Sequence, residues 1–143
     1  MSIIKKGTRD MDNINLMEYW QNSSDEDYNV MNVLYSNKKN SYSLFFGHLV
    51  IEKLLKGLYA KNNKENPYAI KSHNLLALAE KCNLELTDEQ VEKLQIITQF
   101  NISARYDDYK ETFNQKCTDD YTSEQIKNIE EVRTWLKSLL TQE

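Results

Sequence analysis

The chain has 143 residues, enough for one domain, and its 18 Lys and Arg against 22 Asp and Glu leave a net charge of −4. Three glycines and one proline are too few to punctuate the turns of a sandwich or barrel, which excludes an all-β fold. The acidic balance argues against broad binding along a phosphate backbone, which needs a surplus of Lys and Arg to release counterions; a local basic site stays compatible with it.

Leu, Ile, Val and Phe make up about a quarter of the residues, more than disordered chains carry, so a core of ordinary size is expected. No apolar run approaches the roughly 18 residues that a membrane-spanning helix needs. The opening Met1-Ser2-Ile3-Ile4-Lys5-Lys6 lacks the apolar stretch of a signal peptide. These features point to a cytoplasmic protein with no membrane contact. Cys82 and Cys117 are far apart, without metal-site or redox-pair spacing, and read as reduced thiols.

Residues 1–15 show no sustained period and read as a flexible N-terminal arm, with the domain proper over 16–141. Ser24 followed by Asp27 resembles a helix start, and Tyr28, Met31, Leu34 and Tyr35 then carry a helical stripe, giving a first helix over about 25–37. After the polar break at 37–40, the segment from Tyr42 to about Lys61 is the longest and most apolar helix. Residues 62–67, with the sole proline, form a loop. Ser72 is placed to cap a short third helix carrying Leu75, Leu78, Ala79 and Cys82. Thr87-Asp88-Glu89-Gln90 fits a capping box that opens a fourth helix running to about Arg105, and Thr122-Ser123-Glu124-Gln125 repeats the device for the last one. The expected fold is all-α, an antiparallel up-and-down bundle of four to five helices.

The second helix is apolar on more than one side. Leu44, Ile51, Leu54, Leu55 and Leu58 form one face, while Phe45, Phe46, Leu49 and Val50 lie on others. A bundle of only four or five helices is short of cover for the remaining side, so a homodimer with this helix near its interface is expected; the alternative is that its own chain wraps it. On this helix His48 sits at the edge of the core face, one turn before Glu52, within reach of an i, i+4 hydrogen bond; a buried structural histidine is the plainer reading. His73, at a helix start, reads as solvated. No His/Cys/carboxylate cluster with metal-ligand spacing is present, so no metal and no cofactor are expected. On the fourth helix Val91, Leu94, Thr98, Asn101 and Arg105 share a face that turns from apolar to polar. Asn101 and Arg105 either bond the carbonyls at the helix end or clamp a phosphate. Asp107 and Asp108 then fix the arginine or pair with it.

The run Leu44-Phe45-Phe46-Gly47-His48-Leu49-Val50-Ile51-Glu52-Lys53-Leu54-Leu55-Lys56-Gly57-Leu58-Tyr59, then His73-Asn74-Leu75, then Phe100-Asn101-Ile102-Ser103-Ala104-Arg105-Tyr106-Asp107-Asp108, resembles the HEPN domain family, the higher eukaryotes and prokaryotes nucleotide-binding domains. The resemblance spans about residues 16–141. It implies a dimerising helical bundle with polar residues around a cleft, here Arg105, Asn101, Lys53 and Lys56, with His48, Glu52, His73, Tyr106, Asp107 and Asp108 in support. Many family members resemble one another in being metal-independent ribonuclease toxins with an Arg-x(4–6)-His motif, paired with a small nucleotidyltransferase antitoxin. Arg9, Arg105 and Arg133, the three arginines of this chain, have no histidine at that spacing. The expected function is therefore a dimeric module that binds a nucleotide or an RNA phosphate, with a nucleotidyltransferase as a partner protein and no catalysis of its own. The alternative is a ribonuclease toxin using His48 or His73 with Arg105, and a third reading is a dimerisation protein alone.

Overall fold

The computed structural model describes residues 2–68, 71–102 and 107–142, with the backbone alone over 2–13. It is all-helical, and no strand occurs among the described residues. Among these residues six helices follow in order: α1 (Ser2–Ser36), α2 (Asn40–Asn62), α3 (Leu75–Lys81), α4 (Asp88–Thr98), α5 (Asp107–Lys116) and α6 (Asp119–Leu140). This is one more than the upper count expected, because α5 forms over a segment between the expected fourth and last helices that the sequence pattern assigns to neither; α4 itself ends at Thr98, short of Arg105.

α1 and α2 form a long antiparallel hairpin. The turn between them needs a left-handed residue, supplied by Lys38 at φ 59°. Two small hydroxyls let the helices approach closely: Ser24 Oγ donates to the Val50 carbonyl and Ser43 Oγ to that of Met31, both at 2.9 Å. Ser24 is therefore a buried mid-helix donor and not the helix start that its sequence context suggested. The helix continues back through the segment read as an arm, as far as Ser2.

The extra length of α1 changes the environment of α2. Trp20 and Met17 approach Gly57, and Met31 packs beside Gly47. Together with α6, and with α3, α4 and α5 on other sides, α1 closes around the helix. Val50, Ile51, Leu54 and Leu55 are fully buried within one chain. A second copy is thus not required to bury this helix; the hairpin supplies the cover that a first helix of 25–37 could not reach. Only the aromatic N-terminal end stays open, with Tyr42 59% exposed and Phe45 and Phe46 half-buried.

The remaining helices are set by their caps. Asn74, rather than Ser72, caps α3 by accepting from the Ala77 amide at 3.1 Å. The Thr87/Gln90 box stands as expected, both of its bonds formed. α6 starts four residues earlier than expected: Thr118 accepts from the Tyr121 amide, and Thr122 is enclosed inside the helix. Lys61 donates to the Leu139 and Leu140 carbonyls, at 2.9 and 3.2 Å, so a cation on α2 closes the negative end of α6. Lys93 bridges Glu89 and Glu131, tying α4 to α6. Among the described residues no helix is long and apolar enough to cross a membrane.

Candidate functional site

Glu52 lies on the turn of α2 after His48, and its side chain is buried at 5% exposure, which is affordable only with partners. Two are present. His73 Nδ1 donates to Oε1 at 2.7 Å, and Lys56 Nζ reaches Oε2 at 3.2 Å from one turn along. His48 Nε2 stands 3.9 Å from Oε1, outside hydrogen-bond distance, so the expected His48–Glu52 bond is not the one formed. Instead, Nε2 of His48 donates to the backbone carbonyl of His73 at 3.0 Å. The single residue His73 is therefore held twice by α2, once through its backbone by His48 and once through its ring by Glu52. Thr98 adds a third anchor next to it by accepting from the Leu75 amide at 3.1 Å.

This arrangement separates the two histidines chemically. His48 is fully enclosed, in line with the structural reading. Among the described residues its Nδ1 has no hydrogen-bond partner, so a second proton would be a buried, unsatisfied charge. Burial accordingly holds this imidazole below its ordinary value, against the opposing pull of the His73 carbonyl and of Glu52. The unfolded chain protonates His48 near pH 6.5, the folded chain only at lower pH. Between those values the unfolded state binds more protons, so stability is full above about pH 6.5 and is lost as pH falls through the folded value. Urea midpoints measured from pH 8 to 5 are expected to decline below about 6.5, and His48→Gln to flatten that decline.

His73 has the opposite character. Its side chain is 62% exposed, and with Nδ1–H directed at a carboxylate the neutral ring carries its free lone pair on Nε2. It is more than the solvated loop-end residue that its position suggested. Lys56, beyond Glu52, lies over the Trp20 ring at 5.1 Å from its centroid. Lys53 faces the other flank of α1, paired with Asp27 at 2.6 Å and donating to Ser23 Oγ at 2.7 Å. Both lysines are thus partly neutralised by their own chain. Trp20, Ser23 and Asp27 are partners the sequence reading did not single out; the polar run on α1 facing the Lys53 side of α2 was the available signal.

The structure brings together His48, Glu52, His73 and Lys56, with Lys53 alongside on α2. Asn101 is buried just past the end of α4, its amide bonded to the Thr98 carbonyl. Asp107 and Asp108 are exposed in the first turn of α5, where acidic groups suit the positive end of the helix. Arg105 and Tyr106 lie outside the described residues.

Comparison with curated proteins and with solved structures returns no match. A family model, that of the HEPN domain, matches residues 17–139. The helical bundle and a match across nearly the whole chain lead to one conclusion: this protein belongs to the HEPN domain family.

Proposed function

We propose that the protein is a cytoplasmic, homodimeric HEPN module that holds a nucleotide or an RNA phosphate at the α4–α5 junction, where the sequence carries Arg105, and that docks a nucleotidyltransferase partner, without catalysis of its own. The observation that carries this reading is the way the titratable groups are committed. His48 is sealed in the core, while Lys53 and Lys56 are bound to Asp27 and Glu52. Arginine at 105 then remains the natural anion holder among the candidates, through its planar fork of donors. The open aromatic end of α2, with Tyr42, Phe45 and Phe46, supports a subunit contact smaller than one that buries the whole helix.

A second reading, a metal-independent ribonuclease, is favoured by the His73–Glu52 pair alone. There, Nε2 of His73 takes the proton of a ribose 2′-hydroxyl as that oxygen bonds to phosphorus, and the imidazolium returns it to the departing 5′-oxygen. One experiment separates the two. Fluorescently labelled RNA is titrated with protein by anisotropy, and the same mixtures are run on a denaturing gel. The binding module predicts a complex that Arg105→Ala weakens tenfold or more, with intact RNA throughout. RNA cut by the wild type and left whole by His73→Ala would transfer the conclusion to the nuclease, and an anisotropy rise indifferent to Arg105→Ala would remove the phosphate site.

A further inference from the structure

His73 is the member of the Glu52 cluster that reaches the surface, with its side chain 62% exposed. We infer that Nε2 of His73 is a phosphoryl acceptor, at which the protein takes one phosphoryl group from an activated donor, an acyl phosphate or a phosphoramidate, as a covalent modification. The assignment is independent of the phosphate site at Arg105, and it adds a bond to the protein that neither reading above contains.

A nucleophile has to carry a free electron pair and be within reach. Cys82 donates its Sγ hydrogen to the Leu55 carbonyl at 3.4 Å, and burial pushes its thiol up to about 12. Cys117 is buried as well, its thiol raised to about 11. Ser24 and Ser43 are enclosed, with their hydroxyls spent on main-chain carbonyls. His48 is sealed in the core, and Lys53 and Lys56 are paired with carboxylates. His73 differs on both counts. Its Nδ1–H is donated to Glu52 at 2.7 Å, which leaves the lone pair of the neutral ring on Nε2, at an exposed position.

The surroundings also prepare the ring for one particular bond. His48 fixes the backbone of His73 and Glu52 fixes its ring, so Nε2 is presented on the side away from Glu52 without a search through rotamers. In the transfer, the Nε2 lone pair bonds to phosphorus while the bond from phosphorus to the leaving group breaks and its electron pair departs with that group. A carboxylate leaves an acyl phosphate, and an amine leaves an N-protonated phosphoramidate. The ring neither gains nor loses a proton. It keeps its Nδ1 hydrogen and takes on a positive charge directly against the Glu52 carboxylate, which Lys56 holds in place through the other oxygen. The phosphoryl dianion stands on the opposite edge of the ring, where water solvates it.

Mass spectrometry of the full chain, kept out of acid to preserve a phosphorus–nitrogen bond, tests the assignment with acetyl phosphate and with phosphoramidate in separate arms. Phosphorus NMR reports which ring nitrogen carries the group. One phosphoryl group per chain is expected from at least one donor, on Nε2 of His73 and absent in His73→Gln. Transfer is expected to be about tenfold or more faster than to either histidine of the same chain unfolded in urea, because the folded ring is already oriented and faces a carboxylate. Glu52→Gln keeps an acceptor for Nδ1–H but removes the charge, and about a tenfold slower transfer is expected below its melting temperature. Equal rates in folded and unfolded chains, a folded Glu52→Gln as fast as the wild type, a label on Nδ1 or on another residue, or failure of both donors would each overturn the acceptor. The RNA titration with Arg105→Ala decides the phosphate site separately, since His73 is no part of it.

Discussion

Glu52→Ala is expected to destabilise the fold by about 2–3 kcal/mol, less than the roughly 3–5 kcal/mol for breaking a fully buried ion pair because its partners are not all enclosed. Lys56 keeps 16% side-chain exposure and His73 62%, so each can recover part of its loss from water. The carboxylate itself sits at 5%, and its removal leaves the His73 N–H and one Lys56 donor without their acceptor. For a domain of this length the thermal midpoint should fall by roughly 6–12 °C. Glu52→Gln keeps an oxygen for His73 but drops the charge that holds Lys56, and about half the loss is expected. The effect should also be local. Without Glu52 the hydrogen bonds that tie the residues ahead of α3 to the bundle, among the described residues, are the His48–His73 carbonyl bond and the Thr98 anchor, so trypsin should cut after the exposed Lys71 faster than elsewhere. An unchanged melting temperature in Glu52→Ala would show that desolvating the carboxylate cancels everything its partners return.

Which parts of this architecture could be read in the sequence follows from how local their physics is. The Thr87/Gln90 box was legible because both of its bonds close within four residues. The start of α6 was not, because Thr118 and Thr122 each present a threonine followed by acidic or amide side chains, one turn apart. The choice between them is made by Asn40, which donates to both the Cys117 carbonyl and Asp119 from another helix. α1 was read short for a related reason. Its N-terminal half carries no sustained apolar stripe, and the contacts that Met17 and Trp20 make with Gly57 lie about 40 residues away in the chain. The end of α4 has no glycine or proline to mark it. It is made by Thr98, which bonds back to the Leu94 carbonyl and accepts from Leu75, and by Phe100, which turns inward against Phe113 at 5.7 Å.

The candidate site divides in the same way. Glu52, His48 and Lys56 share a helix at one-turn spacings, so their proximity was legible. That His73 is the residue completing the cluster was not, since an excursion through the last turns of α2 and then a loop, 21 positions in all, separates it from Glu52. The same excursion explains why the expected i, i+4 bond failed: a histidine arriving from outside the helix meets the carboxylate at 2.7 Å, and His48 at 3.9 Å loses the competition.

Gly47→Leu is expected to cost more than about 3 kcal/mol, beyond the usual range for overpacking, because the position is where three helices meet. A Cβ built on Gly47 runs into the Ile129 Cδ1 methyl of α6 and lies 3.2 Å from Met31 Sδ of α1 and 3.4 Å from Ile129 Cγ1. Met31 and Ile129 are both fully buried, so a leucine here has no empty volume to enter and must push α6 or α1 away from α2. Alanine is the informative comparison. It gains up to about 1 kcal/mol over glycine in helix propensity, yet it meets the Ile129 methyl. That methyl is the end of a side chain, and whether it can swing aside sets the sign. In a fully packed junction the rotation is blocked on the Met31 side, so Gly47→Ala is expected to destabilise by about 1 kcal/mol. Ile129→Val removes the obstructing methyl and alone costs about 0.5–1.5 kcal/mol. Combined, the two substitutions should be less harmful than their sum by about 1 kcal/mol or more, since the added methyl fills space that the deleted one vacates. Urea titrations of the four chains measure this coupling directly. Strict additivity would mean that α2 and α6 do not meet at Gly47, and the register of the bundle around the Glu52 cluster would have to be redrawn.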